Sequence, residues 1–251
     1  MLIDFTSLRE QYTHATDGKQ SAHSVQVRLS PSVFRYDYLT LSRLSEDIDT
    51  LIDCLPAQEK PRLAIDLGSG KSPYRKRLEQ RGYQVQTFDT DVTSGPDHLG
   101  EIEDTKLPSG TFDLVLCTQV LEHCSDPFKG TREINRILKP EGFTILSVPH
   151  VWFYHPHPTD HWRFTQEGIV TLCRQAGLEP KKLLAQGGSL LSLLQVCNFL
   201  LYGVLGRWGG PAYALLNVFA NALDHRIKNH LFSHNFACLA QKPHHEAGNE
   251  A

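Results

Sequence analysis

A short apolar run, Leu63-Ala64-Ile65-Asp66-Leu67, ends in the turn Gly68-Ser69-Gly70. An uninterrupted apolar run between Pro61 and a glycine turn reads as a strand buried on both faces. Such a strand needs helices above and below it, and the chain supplies them in alternation. Residues 33–55 place Phe34, Tyr38, Leu41, Leu44, Ile48, Leu51 and Ile52 at spacings of three and four, an amphipathic helix running to Pro56. Residues 74–80 then read as helix, 83–88 as a strand ending at Asp89, 112–117 as strand and 127–138 as helix. Lys139-Pro140-Glu141-Gly142 reads as a turn into a strand over 143–148. Residues 165–176 read as a helix with a loose capping box, stopped by Gly177. Residues 178–186 and 236–241 read as two final strands. The expected class is α/β, a doubly wound, mostly parallel sheet with helices on both faces. Residues 1–55 read as an N-terminal extension and helix, and 56–251 as the main domain, with a helical insertion at about 189–230 before the last strand.

Composition narrows the partners. The chain has 251 residues, 40% of them apolar, which is enough for a real core and excludes disorder, collagen-like repetition and coiled coil. A net charge of -3, with 13 histidines counted as neutral, leaves no broad basic face. A small-molecule partner is expected, and no nucleic acid. Cysteines stand at 54, 117, 124, 173, 197 and 238 with no CxxC pair, which reads as reduced thiols in a cytoplasmic enzyme. The first residues carry Asp4, Arg9 and Glu10 and no apolar core, so they do not read as a signal peptide.

Ligands of open α/β sheets bind beyond the carboxyl ends of the strands, and the first glycine turn is the usual cradle. Gly68 and Gly70 allow close backbone approach. Asp66 at the end of a buried strand is unfavourable unless something engages it. The dinucleotide fingerprint is broken, because its third glycine position holds Pro73. A cationic amino acid end suits Asp66 better than a phosphate does, and Asp89 can accept both hydroxyls of a ribose. Together the two carboxylates point to a nucleoside with an amino acid tail.

Five segments occur in order: Asp66-Leu67-Gly68-Ser69-Gly70; Asp89; residues 107–115 from Leu107-Pro108 to Val115; Val120-Leu121-Glu122-His123; and residues 133–142 from Glu133 to Gly142. As a set, over about residues 60–180, they resemble the class I S-adenosylmethionine-dependent methyltransferases of small-molecule type. The resemblance implies S-adenosylmethionine as cofactor and methyl transfer to a small acceptor. It implies that Asp66, Gly68, Ser69 and Gly70 line the methionine end and that Asp89 holds the ribose. Glu103 or Asp104 is implied near the adenine, with Cys117, Thr118 and Gln119 on the floor. The segment from His150 to Thr165, with Pro156, Asp160, Trp162, Arg163 and Phe164, resembles a subgroup met in bacterial glycan and natural-product pathways. A sugar or natural-product intermediate is the acceptor this suggests. A catalytically silent cofactor-binding module and a nucleotide-sugar or NAD oxidoreductase remain as rival classes.

An oxygen acceptor needs a base, and His123, His155, His157 and His161 are the candidates, with His150 beside them. Glu122-His123 equally suits the start of the helix at Asp126-Pro127. The histidines of 150–161 suit a metal set or a polar substrate loop. The loop is the preferred reading and no metal is expected, because Asp160 is the one carboxylate there and an Asp160–Arg163 ion pair accounts for it. The stretch 183–206 holds no charged residue. Its apolar positions surround most of a helix, which calls for burial. A second apolar segment follows Gly209-Gly210-Pro211. The pair suits a pocket cover, a homodimer face or a membrane-surface contact. Ser192, Gln195 and Asn198 argue for packing on the domain or a second subunit, since lipid offers them no partner.

Overall fold

The computed structural model describes residues 25–57, 60–155, 158–224 and 231–244. Seven strands form one sheet in the order β3-β2-β1-β4-β5-β7-β6. They are β1 (Arg62–Leu67), β2 (Tyr83–Asp89), β3 (His98–Leu99), β4 (Phe112–Thr118), β5 (Leu138–Pro149), β6 (Glu179–Gln186) and β7 (Asn235–Gln241). Only β7 runs antiparallel to its neighbours, β5 and β6. The expected doubly wound, mostly parallel α/β class is the one observed.

Alternate residues of the central strands feed two cores. Ile65, Leu67, Val115 and Cys117 pack with Ile134 of α4 (Pro127–Ile137) and with Ile169 and Leu172 of α5 (Gln166–Gln175). Ala64, Leu114 and Leu116 pack on the other face. They meet Leu44, Ile48, Leu51 and Ile52 of α2 (Tyr38–Asp53) and Leu78 of α3 (Arg75–Gln80). Period two in the strands and period 3.6 in the helices thus meet at the same surfaces.

Several boundaries differ from expectation for local reasons. Helix α2 starts at Tyr38, not at 33. Arg35 holds both Asp37 oxygens at 2.7 Å, and Asn217 Nδ2 donates to the carbonyls of Val33 and Arg35 at 2.7 and 2.9 Å. Residues 32–38 form turns instead, with the Arg35 N–H on the Ser32 carbonyl at 3.0 Å and the Tyr38 N–H on the Arg35 carbonyl at 3.4 Å. Residues 139–142 are not a free turn but the irregular opening of β5. The β4–β5 register shifts between Phe112 and Leu114, and Glu141 takes the left-handed φ of 64°. A one-turn α1 (Val25–Leu29) and the two-residue β3 give no periodic signal and were not anticipated. Thr165 does cap α5, accepting from the Gly168 N–H at 3.0 Å. Glu133, beside Arg136, accepts from the N–H and hydroxyl of Thr105 at 3.0 and 2.6 Å, while Arg136 donates to the Leu107 carbonyl at 2.7 Å. That part of the 133–142 motif is a clamp on the loop before β4.

Between β6 and β7 the chain forms α6 (Ser189–Leu205) and α7 (Gly210–Asp224), an antiparallel pair joined through Gly206–Gly209. Their packing departs from expectation. The side chains of α6 that are buried are Leu191, Ser192, Gln195 and Asn198, while Leu193, Leu200 and Val204 face outward. Ser192, Gln195 and Asn198 each make one hydrogen bond inside the protein, and the helix that should be buried all round is not.

Candidate active site

The carboxyl ends of β1, β2 and β4 converge on the glycine turn. Gly68 has φ 65°, and a Cβ there would lie 2.3 Å from Val120 Cγ2, so the loop after β4 presses directly on the turn. Gly70 has φ 51°, and its missing Cβ faces open space. Asp66 is buried and accepts from Ser72 Oγ at 2.7 Å. Burial pushes its carboxyl up to about 7, against the Ser72 hydrogen bond and the positive charge of Arg28 in α1. Ser72 itself sits at φ 46°, an uncommon backbone for serine that its bond to Asp66 helps to hold.

Asp89 has a structural task that spacing alone does not reveal. Its Oδ2 accepts from the Gly70 N–H at 2.7 Å and its Oδ1 from the Asp91 N–H at 2.9 Å. It ties the glycine turn to β2, and each oxygen keeps a further lone pair. Ser69 Oγ is buried without a partner among the described residues. A buried hydroxyl of this kind calls for a partner. An ionisable Asp66, an unpaired Ser69 hydroxyl and open space over Gly70 fit a polar ligand with an amino acid end.

The remaining cofactor candidates divide. Glu103 Oε1 accepts from Ser125 Oγ at 2.7 Å and from the Asp126 N–H at 2.6 Å, so its carboxylate braces the start of α4. Asp104 pairs with Lys106 at the surface. Both lie in the 3-10 turn Ile102–Asp104, and exposed Glu101 leads into that turn from β3. The Cys117 side chain lies in the core, opposite Leu67 in register, where burial raises its thiol. Thr118 ends β4. Gln119, at φ 56°, turns toward β5, where its N–H donates to the Ser147 carbonyl at 2.9 Å.

Beside the cradle the structure assembles a second group. Val120 leads into the 3-10 turn Leu121–His123, and the loop after β5 folds over it. The N–H groups of His161 and Trp162 donate to the Glu122 carbonyl, and Trp162 Nε1 donates to the Cys124 carbonyl at 2.9 Å. His155 Nδ1 lies 3.1 Å from both Asp160 Oδ2 and the Phe153 carbonyl. The expected Asp160–Arg163 pair is present and bidentate, and Arg163 also donates to the Phe153 carbonyl at 2.7 Å. The rings of His123 and His155 meet edge to face, 5.0 Å apart. His123 Nδ1 is 3.0 Å from the Thr159 carbonyl.

The electrostatics separate these groups. Burial lowers His123 to about 4, so it is neutral at pH 7. Burial also opposes the charged form of His155, but the hydrogen bond and charge of Asp160 outweigh it, and its pKa is raised. Burial pushes Glu122 up to about 7, and its Oε2 has no partner among the described residues. Ligand atoms of Glu122, His123 and His155 lie within 4.8 Å of one another. This set can share a proton or hold a divalent cation.

Of the sequence candidates, His123 and His155 come together. His161 is exposed and contributes its backbone, and His157 lies outside the described residues. His150 Nδ1 is 2.9 Å from the Phe164 carbonyl and its ring packs on Phe236, a structural role. Glu122 does not start the α4 helix, which Asp126 caps by accepting from the Lys129 N–H at 3.0 Å. Its place in the cluster was missed. The available signal was a carboxylate beside a histidine just past a strand that ends at the ligand edge.

Residues 65–146 match the family described as methyltransferase domain. A ubiquinone biosynthesis O-methyltransferase of Aromatoleum aromaticum is 30% identical over 105 residues, covering 35% of this chain and 44% of that protein. The chain spans less than half the length of the curated relatives it matches. Among solved structures, the 1,6-didemethyltoxoflavin-N1-methyltransferase of Burkholderia thailandensis, with S-adenosylhomocysteine bound, superposes with a TM-score of 0.55 at 13% identity. That match covers 97% of this chain and 92% of the other. The cyclase SpnF superposes with a TM-score of 0.55 at 18% identity, over 79% of this chain and 81% of the other.

Proposed function

We propose that this chain, whose residues 65–146 are a methyltransferase domain of the class I S-adenosylmethionine-dependent kind, methylates a hydroxyl of a small-molecule acceptor. Asp66 and Ser69 face the amino acid end of S-adenosylmethionine, and Asp89 meets its ribose with the lone pairs that Gly70 and Asp91 leave unused. When bound, the cofactor supplies a methyl group on a positively charged sulfur, already strongly electrophilic. The chain therefore has to align the acceptor and manage one proton.

The observation that carries the oxygen-acceptor reading is the His155–Asp160 pair beside the cradle. Asp160 and the Phe153 carbonyl hold Nδ1–H of His155, which leaves Nε2 bare to take a proton from a hydroxyl. A neutral amine would need no such base. The O-methyltransferase name of the Aromatoleum relative supports the same choice, and a phenolic or sugar hydroxyl is the acceptor class we propose. Since SpnF is a cyclase of the same fold, the fold alone does not carry the reaction. A cytoplasmic location fits six cysteines with no CxxC pair among them.

Calorimetry with S-adenosylhomocysteine and with NAD tests the cofactor. Transfer of labelled methyl to a panel of phenols, sugars and amines tests the reaction. Binding of S-adenosylhomocysteine with turnover on hydroxyl acceptors is expected; binding without turnover on any acceptor leaves a silent module. A second reading rests on the 4.8 Å spacing of Glu122, His123 and His155: a divalent cation there would polarise the hydroxyl. Elemental analysis and chelation separate it from the proton mechanism.

A further inference from the structure

The α6–α7 pair is built inside out. Toward the domain, Gln195 Nε2 donates to the Tyr36 carbonyl at 2.8 Å, Asn198 Nδ2 donates to Asn217 Oδ1 at 2.7 Å, and Ser192 Oγ lies 3.1 Å from His234 Nδ1. Outward stand leucines, valines and aromatics. A helix that rests on a protein and faces water shows the opposite arrangement. Each of the polar residues that argued against lipid contact bonds inward, and the unpartnered Gln195 Oε1 and Asn198 Oδ1 are buried as well, so none of the three presents a polar group to lipid.

Exposed apolar side chains run along the pair. On α6 Leu193, Leu200 and Val204 are 54%, 62% and 82% exposed, and Leu205, next to the connecting turn, is 40% exposed. Trp208 in that turn is 80% exposed, with the Arg207 guanidinium 4.9 Å over its ring. On α7 Leu215, Val218 and Phe219 are 73%, 60% and 52% exposed. The exposed apolar surface therefore includes the tip of the pair and continues along both helices, past α7 to Leu231, which is 89% exposed. We propose that this tip and the outer face behind it insert into the surface of a lipid bilayer.

Three features favour a bilayer over a second copy of the chain. A two-fold partner needs a self-complementary patch, whereas a bilayer needs only a continuous apolar face. A tryptophan stacked under an arginine at the tip is the side-chain pair that the headgroup layer accommodates. No charged side chain interrupts residues 183–206, so nothing on α6 resists insertion. Spanning does not follow. The helical stretch from Ser189 to Asp224 is apolar enough to cross a membrane, but it doubles back at Gly206–Gly209 into helices of 17 and 15 residues. Both are shorter than the ~20 residues a crossing needs, and their inner faces are bonded to the domain.

The face also adjoins the proposed acceptor side. Phe199 of α6 stacks on Phe153 with ring centroids 3.6 Å apart, and the Phe153 carbonyl, with Asp160, holds His155. If the methyl-transfer reading holds, an acceptor dissolved in the bilayer reaches His155 along this contact. The docking itself stands without that reading.

The test is sedimentation of the full chain with phosphatidylcholine–phosphatidylglycerol vesicles, for the native protein and for V204E/W208E. Thermal melting by circular dichroism checks the fold, and sedimentation equilibrium without lipid gives the oligomeric state. The native protein should pellet with vesicles and stay bound in high salt. The double variant should melt at the native temperature and lose at least about tenfold in partitioning. Should V204E/W208E misfold, a blue shift of native Trp208 emission on vesicles, absent in W208F, carries the same information. A native protein that ignores vesicles overturns the proposal, whether it is a monomer or a dimer that the variant dissolves. Failure to bind S-adenosylhomocysteine would undo the methyltransferase reading and leave this result untouched.

Discussion

The two halves of the ligand edge are made differently. The half over β1 and β2 consists of strand ends and one turn, with Asp66, Ser69, Gly70 and Asp89 within 24 consecutive residues. Its geometry is set by backbone: left-handed glycines, an Asp89 carboxylate on the Gly70 N–H, and Ser72 on Asp66. The half over β4 and β5 is made of side chains from two separate loops, and Glu122, His123 and His155 meet only because the second loop is tied across the first. Fixed backbone suits recognition of a constant cofactor. A side-chain cluster on loops suits an acceptor and a proton.

That contrast predicts separable failures. His155→Ala should reduce turnover by about 10²–10⁴-fold while leaving the Kd for S-adenosylhomocysteine near native, measured by steady-state kinetics and calorimetry. The acid limb of native kcat/KM should have its midpoint above the usual histidine value of 6.5, because Asp160 raises His155 and the base form exists only above that pKa. In Asp160→Asn the main opposition to burial is lost and the midpoint should move down; an unmoved limb would remove His155 as base. Next in size, Asp89→Ala should weaken S-adenosylhomocysteine by at least about tenfold, since it loses charge-assisted hydrogen bonds and unties Gly70. Turnover at saturating cofactor should change far less.

Gly68→Ala tests the backbone half directly. With φ 65° and Val120 in the way, it should cost about 1–3 kcal/mol in urea unfolding. A native-like stability would mean the two loops are not pressed together. Asp66, held near 7 by burial, adds a pH signature. Only its ionised form matches a cationic amino group, so affinity for S-adenosylhomocysteine should fall as pH drops through about 7. Asp66→Asn should bind weakly without that step. The smallest effect belongs to His161→Ala. Its exposed ring takes no part in the cluster, so stability should stay within about 0.5 kcal/mol and turnover near native.

Strand and helix identities along the main domain were legible because burial imposes period two or 3.6 on apolar residues. The cradle was legible for a related reason: Gly68, Gly70, Asp66 and Asp89 are unusual residues at the ends of buried strands. Roles that depend on partners far along the chain were not legible. Glu103 and Asp104 read as one undecided acid, and the fold turns Glu103 onto Asp126 and Asp104 onto Lys106. Glu122 read as a helix start until the loop after β5 closed over it.

The α6–α7 pair marks the boundary between the two kinds of information. Its sequence determined two apolar helices about a glycine turn, since hydropathy and Gly206–Gly210 are local properties. Which face each helix turns inward was decided by tertiary structure. The domain surface beneath offers polar partners in the Tyr36 carbonyl, the Val33 and Arg35 carbonyls and His234, so Gln195, Asn217 and Ser192 go in. Leu200, Val204 and Trp208 are left facing out. A residue's hydropathy states what it prefers to touch; only the surface it lands on decides whether that preference is met within the chain.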